Sequence, residues 1–114
     1  MNLQTFLDKL NDCPESIEFA ETMETIETNY TFIESRFTNG ATVNEAGQNS
    51  GSCKLFAFAM LNKLTKEQTL ACFGRYYRVD VLENPDADDH QNIRNFMKYG
   101  WDGIAFDREA LVSK

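Results

Sequence analysis

The sequence predicts an α+β domain: about five helices around a central buried helix (53–64), with a small antiparallel sheet. Three observations lead there. Several stretches repeat apolar residues at three- and four-residue steps, the period of a helix. One run, Leu55-Phe-Ala-Phe-Ala-Met-Leu-Asn-Lys-Leu64, is apolar on almost every side, which suits a helix packed among other elements. Asn39-Gly40 sits between short β-branched and aromatic runs, the strongest short-range hairpin signal. At 114 residues the chain reads as a single domain, 1–114.

Residues 2–11 read as an amphipathic helix, with Asn2 as its cap and Leu3, Phe6, Leu7 and Leu10 on one face. Asp12-Cys-Pro-Glu15 stops it and opens a second helix over about 14–29. Pro14 suits a first turn, and Asp12 with Glu15 has capping-box spacing. That helix buries Phe19, Met23, Ile26 and Tyr30. Its glutamates at 15, 18, 21, 24 and 27 step by three residues, so they sweep round the helix rather than forming one stripe. They read as a solvated face or as a docking face for a basic partner. Thr31–Ile33, Arg36–Thr38 and Ala41–Val43 have strand composition. After the apolar helix, Thr65 and Gln68 form a capping box for a helix with Leu70, Phe73, Tyr77 and Val81 inside. Gly74 beside that stripe suggests close approach of another backbone, the apolar helix being the expected neighbour. Asp88 and Gln91 predict a last helix over about 89–99, with Ile93, Phe96 and Met97 inside and Gly100 as a left-handed cap. Trp101–Phe106 and the final Ala-Leu-Val supply one or two short strands.

The composition narrows the function. A net charge of −7 argues against a nucleic-acid binder and against adhesion to anionic lipid. Three cysteines without a CxxC pair argue against structural zinc and suit a reducing compartment. The N-terminus has no basic region followed by a long apolar run, so it does not read as a secretory signal. No run reaches the ~20 apolar residues of a membrane span. Cytoplasmic synthesis is expected, and no cofactor is implied.

The chemistry concentrates in the loop before the apolar helix. Gly47-Gln-Asn-Ser-Gly-Ser-Cys-Lys54 offers backbone N–H groups and a lysine at a helix start. It could hold a phosphate or carboxylate through Asn49, Ser50, Ser52 and Lys54, with Arg75, Arg78 or Arg94 nearby. It is not a Walker loop, because three residues separate its glycines and no Gly-Lys-Ser/Thr follows. The partner is then a small anionic ligand or a protein. The second reading is a thiol hydrolase or transferase. Cys53 in a first helical turn would be the nucleophile, His90 the base, and Gln48 an oxyanion donor. His90 is expected to face inward with Ile93 and Met97, with Asp89 or Asn92 as its partner. Against both stand plainer readings: serines that cap a helix, a cysteine packed in the core, a satisfied buried histidine. Asp86, Asp88, Asp89 and His90 match neither a calcium loop nor a zinc helix motif, so no metal site is expected.

Three long stretches carry a resemblance: Ala46-Gly-Gln-Asn-Ser-Gly-Ser-Cys-Lys-Leu-Phe-Ala-Phe-Ala59, Thr69-Leu-Ala-Cys-Phe-Gly-Arg-Tyr-Tyr-Arg78, and Asp89-His-Gln-Asn-Ile-Arg-Asn-Phe-Met-Lys-Tyr-Gly-Trp101. Over nearly its whole length the chain resembles the HopJ type III effector family of Gram-negative bacteria. The resemblance implies export through a type III secretion system. It carries over no catalytic residue.

Overall fold

A computed structural model describes residues 2–114. The α+β reading holds: five α-helices and two small antiparallel sheets are present among these residues. Helix α1 (Leu3–Asp12) is capped by Asn2, whose Oδ1 accepts from the Gln4 amide at 2.8 Å and the Thr5 amide at 3.3 Å. Its Phe6 and Leu10 enter the core.

The second helix is shorter than its periodicity suggests. Pro14–Ser16 form a 3₁₀ turn, and α2 covers Phe19–Asn29. Between them Ile17 and Glu18 are extended, and Ile17 is fully buried. The restart is capped by Glu21, whose Oε1 accepts from the Glu18 amide at 3.0 Å, in place of the Asp12–Glu15 box. Burial works to raise the Glu21 pKa, but the hydrogen bond and charge of Lys9, at 2.7 Å, and the Glu18 backbone hold it below the usual range. Two other glutamates near α2 also pair, Glu18 with Arg78 at 3.4 Å and Glu27 with Lys54 at 3.6 Å.

The strand-like residues after α2 divide between the two sheets. β1 (Tyr30–Phe32) pairs antiparallel with β5 (Leu111–Ser113), with Thr31 opposite Val112. β2 (Phe37–Asn39) is the middle strand of the other sheet. It pairs with β3 (Thr42–Asn44) on one side and β4 (Ile104–Phe106) on the other. The hairpin turn is Gly40-Ala41, with Gly40 at φ +61°. That places the glycine at the first central position, one residue later than an Asn39-Gly40 turn.

Helix α3 spans Ser50–Leu61, so it begins three residues before the expected start at Cys53. Leu55, Phe56, Phe58 and Ala59 are fully buried, and the helix reaches solvent at its two ends, partly at Ser50–Ser52 and Lys54 and fully at Met60 and Leu61. The Phe56 ring lies 5.0 Å from Phe96, 5.5 Å from Phe73, 6.0 Å from Phe37 and 6.4 Å from Trp101. One side chain thus ties the sheet, the turn after the next helix, the last helix and the C-terminal 3₁₀ turn (Gly100–Gly103) to α3.

Helix α4 (Lys66–Ala71) opens on the expected capping box. Thr65 Oγ1 accepts from the Gln68 amide at 3.1 Å, and Gln68 Oε1 accepts from the Thr65 amide at 3.0 Å. The predicted continuation to Val81 does not stay α-helical. Gly74 turns the chain at φ +61°, and Tyr76–Val81 follow as a π-helical segment. The wider turn changes which face each side chain takes. Phe73 and Val81 are buried as expected, while Tyr77 is only half-buried and Tyr76 is exposed. Gly74 does meet another backbone, but it is Ile17–Phe19 rather than α3. A Cβ at this position would lie 2.7 Å from the Phe19 amide nitrogen.

Helix α5 covers Gln91–Tyr99, with Ile93 and Phe96 inside as predicted. Its cap differs: His90 holds the N-cap position, and Asp88 only accepts a bond from Gln91 Nε2 through its carbonyl. Gly100 ends the helix at φ 60°, ψ −151°, a region open essentially to glycine alone rather than the left-handed helical one.

Candidate functional site

The N-termini of α3 and α5 face one cleft of about 360 Å³. Asn49, Gly51 and Ser52 line it from the first helix, and His90, Gln91, Asn92 and Ile93 from the second. Thr42 closes it from the hairpin, and Phe19, Phe73 and Tyr76 form an aromatic wall. Gly51 keeps the cleft open: a Cβ there would lie 3.0 Å from the tip of the Phe19 ring.

Both helix starts are unusual in the same way. An N-cap residue normally has extended backbone and covers a free amide with its side chain. Asn49 (φ 49°, ψ 46°) and His90 (φ 49°, ψ 48°) are left-handed, and neither side chain caps its helix. Left-handed backbone in a non-glycine residue costs about 1–2 kcal/mol, although Asn and His are among the residues that tolerate it best. Each side chain is engaged elsewhere. Asn49 Nδ2 donates to Asn44 Oδ1 at 2.7 Å. His90 Nε2 lies 3.0 Å from Asp80 Oδ2. The amides of the first turns are therefore left without side-chain caps at the cleft.

A set of buried asparagines holds the two helix starts together. Asn92 Oδ1 accepts from Asn39 Nδ2 and from Asn44 Nδ2, both at 3.1 Å. Asn92 Nδ2 donates to Asn44 Oδ1 at 3.0 Å. Asn39 Nδ2 also reaches the Asn92 carbonyl at 2.7 Å, and Asn95 Nδ2 reaches Thr42 Oγ1 at 2.7 Å. The hairpin is the shared template: Asn44 receives α3 through Asn49, and Asn39 and Asn44 receive α5 through Asn92.

Of the residues singled out from the sequence, Asn49, Ser52 and His90 meet in this cleft. Ser50 starts α3 but is not part of the cleft wall. Gln48 closes the preceding turn, its Oε1 accepting from the Glu45 amide at 3.1 Å. Lys54 turns away to Glu27 and sits 5.0 Å above the Phe32 ring. Arg94 is held by Asp89 at 2.7 Å and by the Asp89 and Pro85 carbonyls. The Arg94 hydrogen bond keeps the Asp89 carboxyl below its ordinary range.

Cys53 and His90 do not form the expected pair. Cys53 is 1% exposed, and its Sγ lies 3.7 Å from the Ser35 carbonyl. Because α3 begins at Ser50, Cys53 lies past the uncapped turn and its amide already binds the Asn49 carbonyl at 3.0 Å. Burial raises its thiol pKa despite the Ser35 bond and Lys54. Burial pushes Cys72 further, to about 12. On alkylation of the native protein with iodoacetamide near neutral pH, exposed Cys13 is expected to react, while Cys53 and Cys72 stay protected until unfolding. Peptide mass mapping checks this; ready native labelling of Cys53 would contradict the buried placement.

His90 is half-buried rather than fully inward, and its partner is Asp80, with Asp89 further off at 3.9 Å. Tyr76, from the basic-aromatic run Arg75-Tyr-Tyr-Arg78, also lines the cleft. Its ring is 5.3 Å from His90 and 5.2 Å from Phe19, and it belongs to the cleft because of the π-helical turn. Among the described residues no group of three or more His, Cys, Asp or Glu side chains could hold a metal ion. No helix there is long and apolar enough to cross a membrane.

No curated protein matches the chain. A crystal structure of a protein of unknown function, VPA0580, is similar to it at 60% identity and a TM-score of 0.99. The match covers 100% of this chain and 95% of that one. Residues 3–111 match the family described as HopJ type III effector protein. The residues of the cleft and their supports lie within that span, and the chain belongs to the HopJ type III effector family.

Proposed function

We infer that the chain acts as a type III effector whose molecular task is binding, and that its site is the cleft between α3 and α5. The ligand it fits is a small anion bearing a carboxylate or phosphate. A protein partner would present the same chemistry on a side chain. The observation that carries this reading is the meeting of two uncapped helix starts in one cleft. Each helix N-terminus is equivalent to roughly half a positive charge, so the two together offer about one unit. The net charge of −7 opposes an anion only weakly here, because charges beyond the ~8 Å Debye length are screened at physiological salt. The loop reading from the sequence is thereby narrowed to Asn49, Gly51 and Ser52, joined by the start of α5.

Titration with inorganic phosphate and with succinate, at constant ionic strength and followed by amide NMR, tests it. Saturable shifts are expected at Gly51, Ser52, Gln91 and Asn92. A Gly51→Val variant, which fills the cleft toward Phe19, should weaken binding about tenfold or more, roughly 1.4 kcal/mol. Shifts that never saturate, or that spread evenly over the surface, would sink the reading.

A further inference from the structure

We propose that the same cleft is a hydrolytic site for small carboxylic esters, with Ser52 as nucleophile, His90 as general base and Asp80 as the residue that positions the imidazole. Three observations carry it. Ser52 and His90 line one cleft from two different helix starts. The His90 ring is engaged at Nε2 by Asp80 Oδ2 at 3.0 Å, which assigns the proton to Nε2 and leaves Nδ1 as the basic nitrogen. The uncapped first turns of both helices supply backbone N–H groups at the cleft, where a developing oxyanion needs them. Aromatic and aliphatic side chains, Phe19, Phe73, Tyr76 and Ile93, give a short acyl group an apolar wall. A volume of about 360 Å³ sets the scale at a small ester.

The chemistry balances on these groups and water. Ser52 Oγ attacks the ester carbonyl carbon as its proton passes to His90 Nδ1. The carbonyl oxygen becomes an oxyanion facing the helix-start amides. The carbon–oxygen bond to the alcohol then breaks, and the proton on Nδ1 goes to the leaving alkoxide. Water, deprotonated by the same nitrogen, attacks the acyl-serine. The carbon–Oγ bond breaks, Oγ regains a proton, and a carboxylic acid leaves. No hydrogen bond joins Ser52 to His90 in this structure. Free catalytic sites commonly hold such bonds loosely until substrate enters. The acid released is itself a carboxylate, so this proposal rests on the anion-binding reading of the cleft and adds a reaction to it.

The test is labelling of the whole protein with a small fluorophosphonate, located by peptide mass mapping, beside turnover of p-nitrophenyl acetate. A single adduct on Ser52 is expected. Ser52→Ala should abolish it and return ester turnover to the buffer rate. His90→Asn, which tolerates the left-handed backbone, should slow labelling at least a hundredfold. Asp80→Asn should slow it about tenfold, and Asp80→Glu should restore it, which a merely structural role for Asp80 would not produce. Phosphate should protect Ser52 from the probe. Saturable phosphate binding without Ser52 labelling, or labelling that ignores His90, would overturn the hydrolytic proposal and leave the binding reading standing. Absence of both binding and labelling would overturn the two together.

Discussion

Replacing Gly74 by alanine is expected to lower the stability of the fold by about 3–5 kcal/mol, and valine should do worse. Two separate costs add. The backbone at φ +61° charges any L side chain about 1–2 kcal/mol. A Cβ would also sit 2.7 Å from the Phe19 nitrogen and 3.1 Å from both the Glu18 Cα and the Ile17 carbonyl oxygen. These are backbone atoms at the extended break before α2, so they cannot swing aside like the tip of a side chain. Moving them would pull Ile17 from the core and disturb the Glu18–Glu21 cap. Against a typical total of about 5–15 kcal/mol, that loss is large, and Tm should fall by about 12 °C or more. Gly47 provides the comparison. It too has positive φ (+89°), but a Cβ there meets only the Glu34 carboxylate, at 3.5 Å. Gly47→Ala should therefore cost only the conformational part. If thermal unfolding shows the two variants equally destabilised, close backbone contact at Gly74 is not what requires the glycine.

The reasons this contact was half legible apply to the whole chain. Gly74 beside an apolar stripe announced a close approach, because the pattern is local. Its true neighbour, Ile17–Phe19, required the break in the second helix, which the run of helix-compatible residues from Pro14 conceals. The Thr65–Gln68 box was readable for the same local reason. So were the apolar faces of α1 and α5. Two offsets account for the site. Starting α3 at Cys53 instead of Ser50 assigns the thiol to an open first turn, whereas one residue on a helix is a rotation of about 100°. Ser52 consequently lines the cleft while Cys53 points to Ser35. Treating His90 as helical aligned it with Ile93. As a left-handed cap it leaves that face and meets Asp80. Asp80 lies on the π-helical segment, and no 3.6-residue pattern would have placed it.

The asparagines were the least legible feature and carry the second large prediction. In sequence, asparagine signals turns and caps; nothing in the spacing of 39, 44 and 92 says that they meet inside the protein. Asn92→Leu is expected to lower stability by about 3–4 kcal/mol although it adds apolar volume. The Asn92 side chain makes three bonds to Asn39 and Asn44, both fully buried. Leucine would remove all three bonds at about 1 kcal/mol each; Asn39 Nδ2 keeps the Asn92 carbonyl, but Asn44 Nδ2 is left with only the Phe37 carbonyl at 3.5 Å. The effect on the cleft should exceed the effect on the core, because these bonds align α5 with the hairpin that also receives α3. At a temperature where the variant is still folded, phosphate-induced shifts at Gln91 should shrink while the Phe56 core signals persist. A double-mutant cycle between Asn44→Ala and Asn92→Ala separates a network from two independent sites. Contacting residues in one hydrogen-bond network couple by about 0.5–3 kcal/mol. Once either amide is gone, its partner's bond is already lost, so the second substitution should cost at least 1 kcal/mol less than it does alone, within that range. Strict additivity would mean that each asparagine stabilises its own element, and that the alignment of the two helix starts must come from the aromatic packing around Phe56 instead.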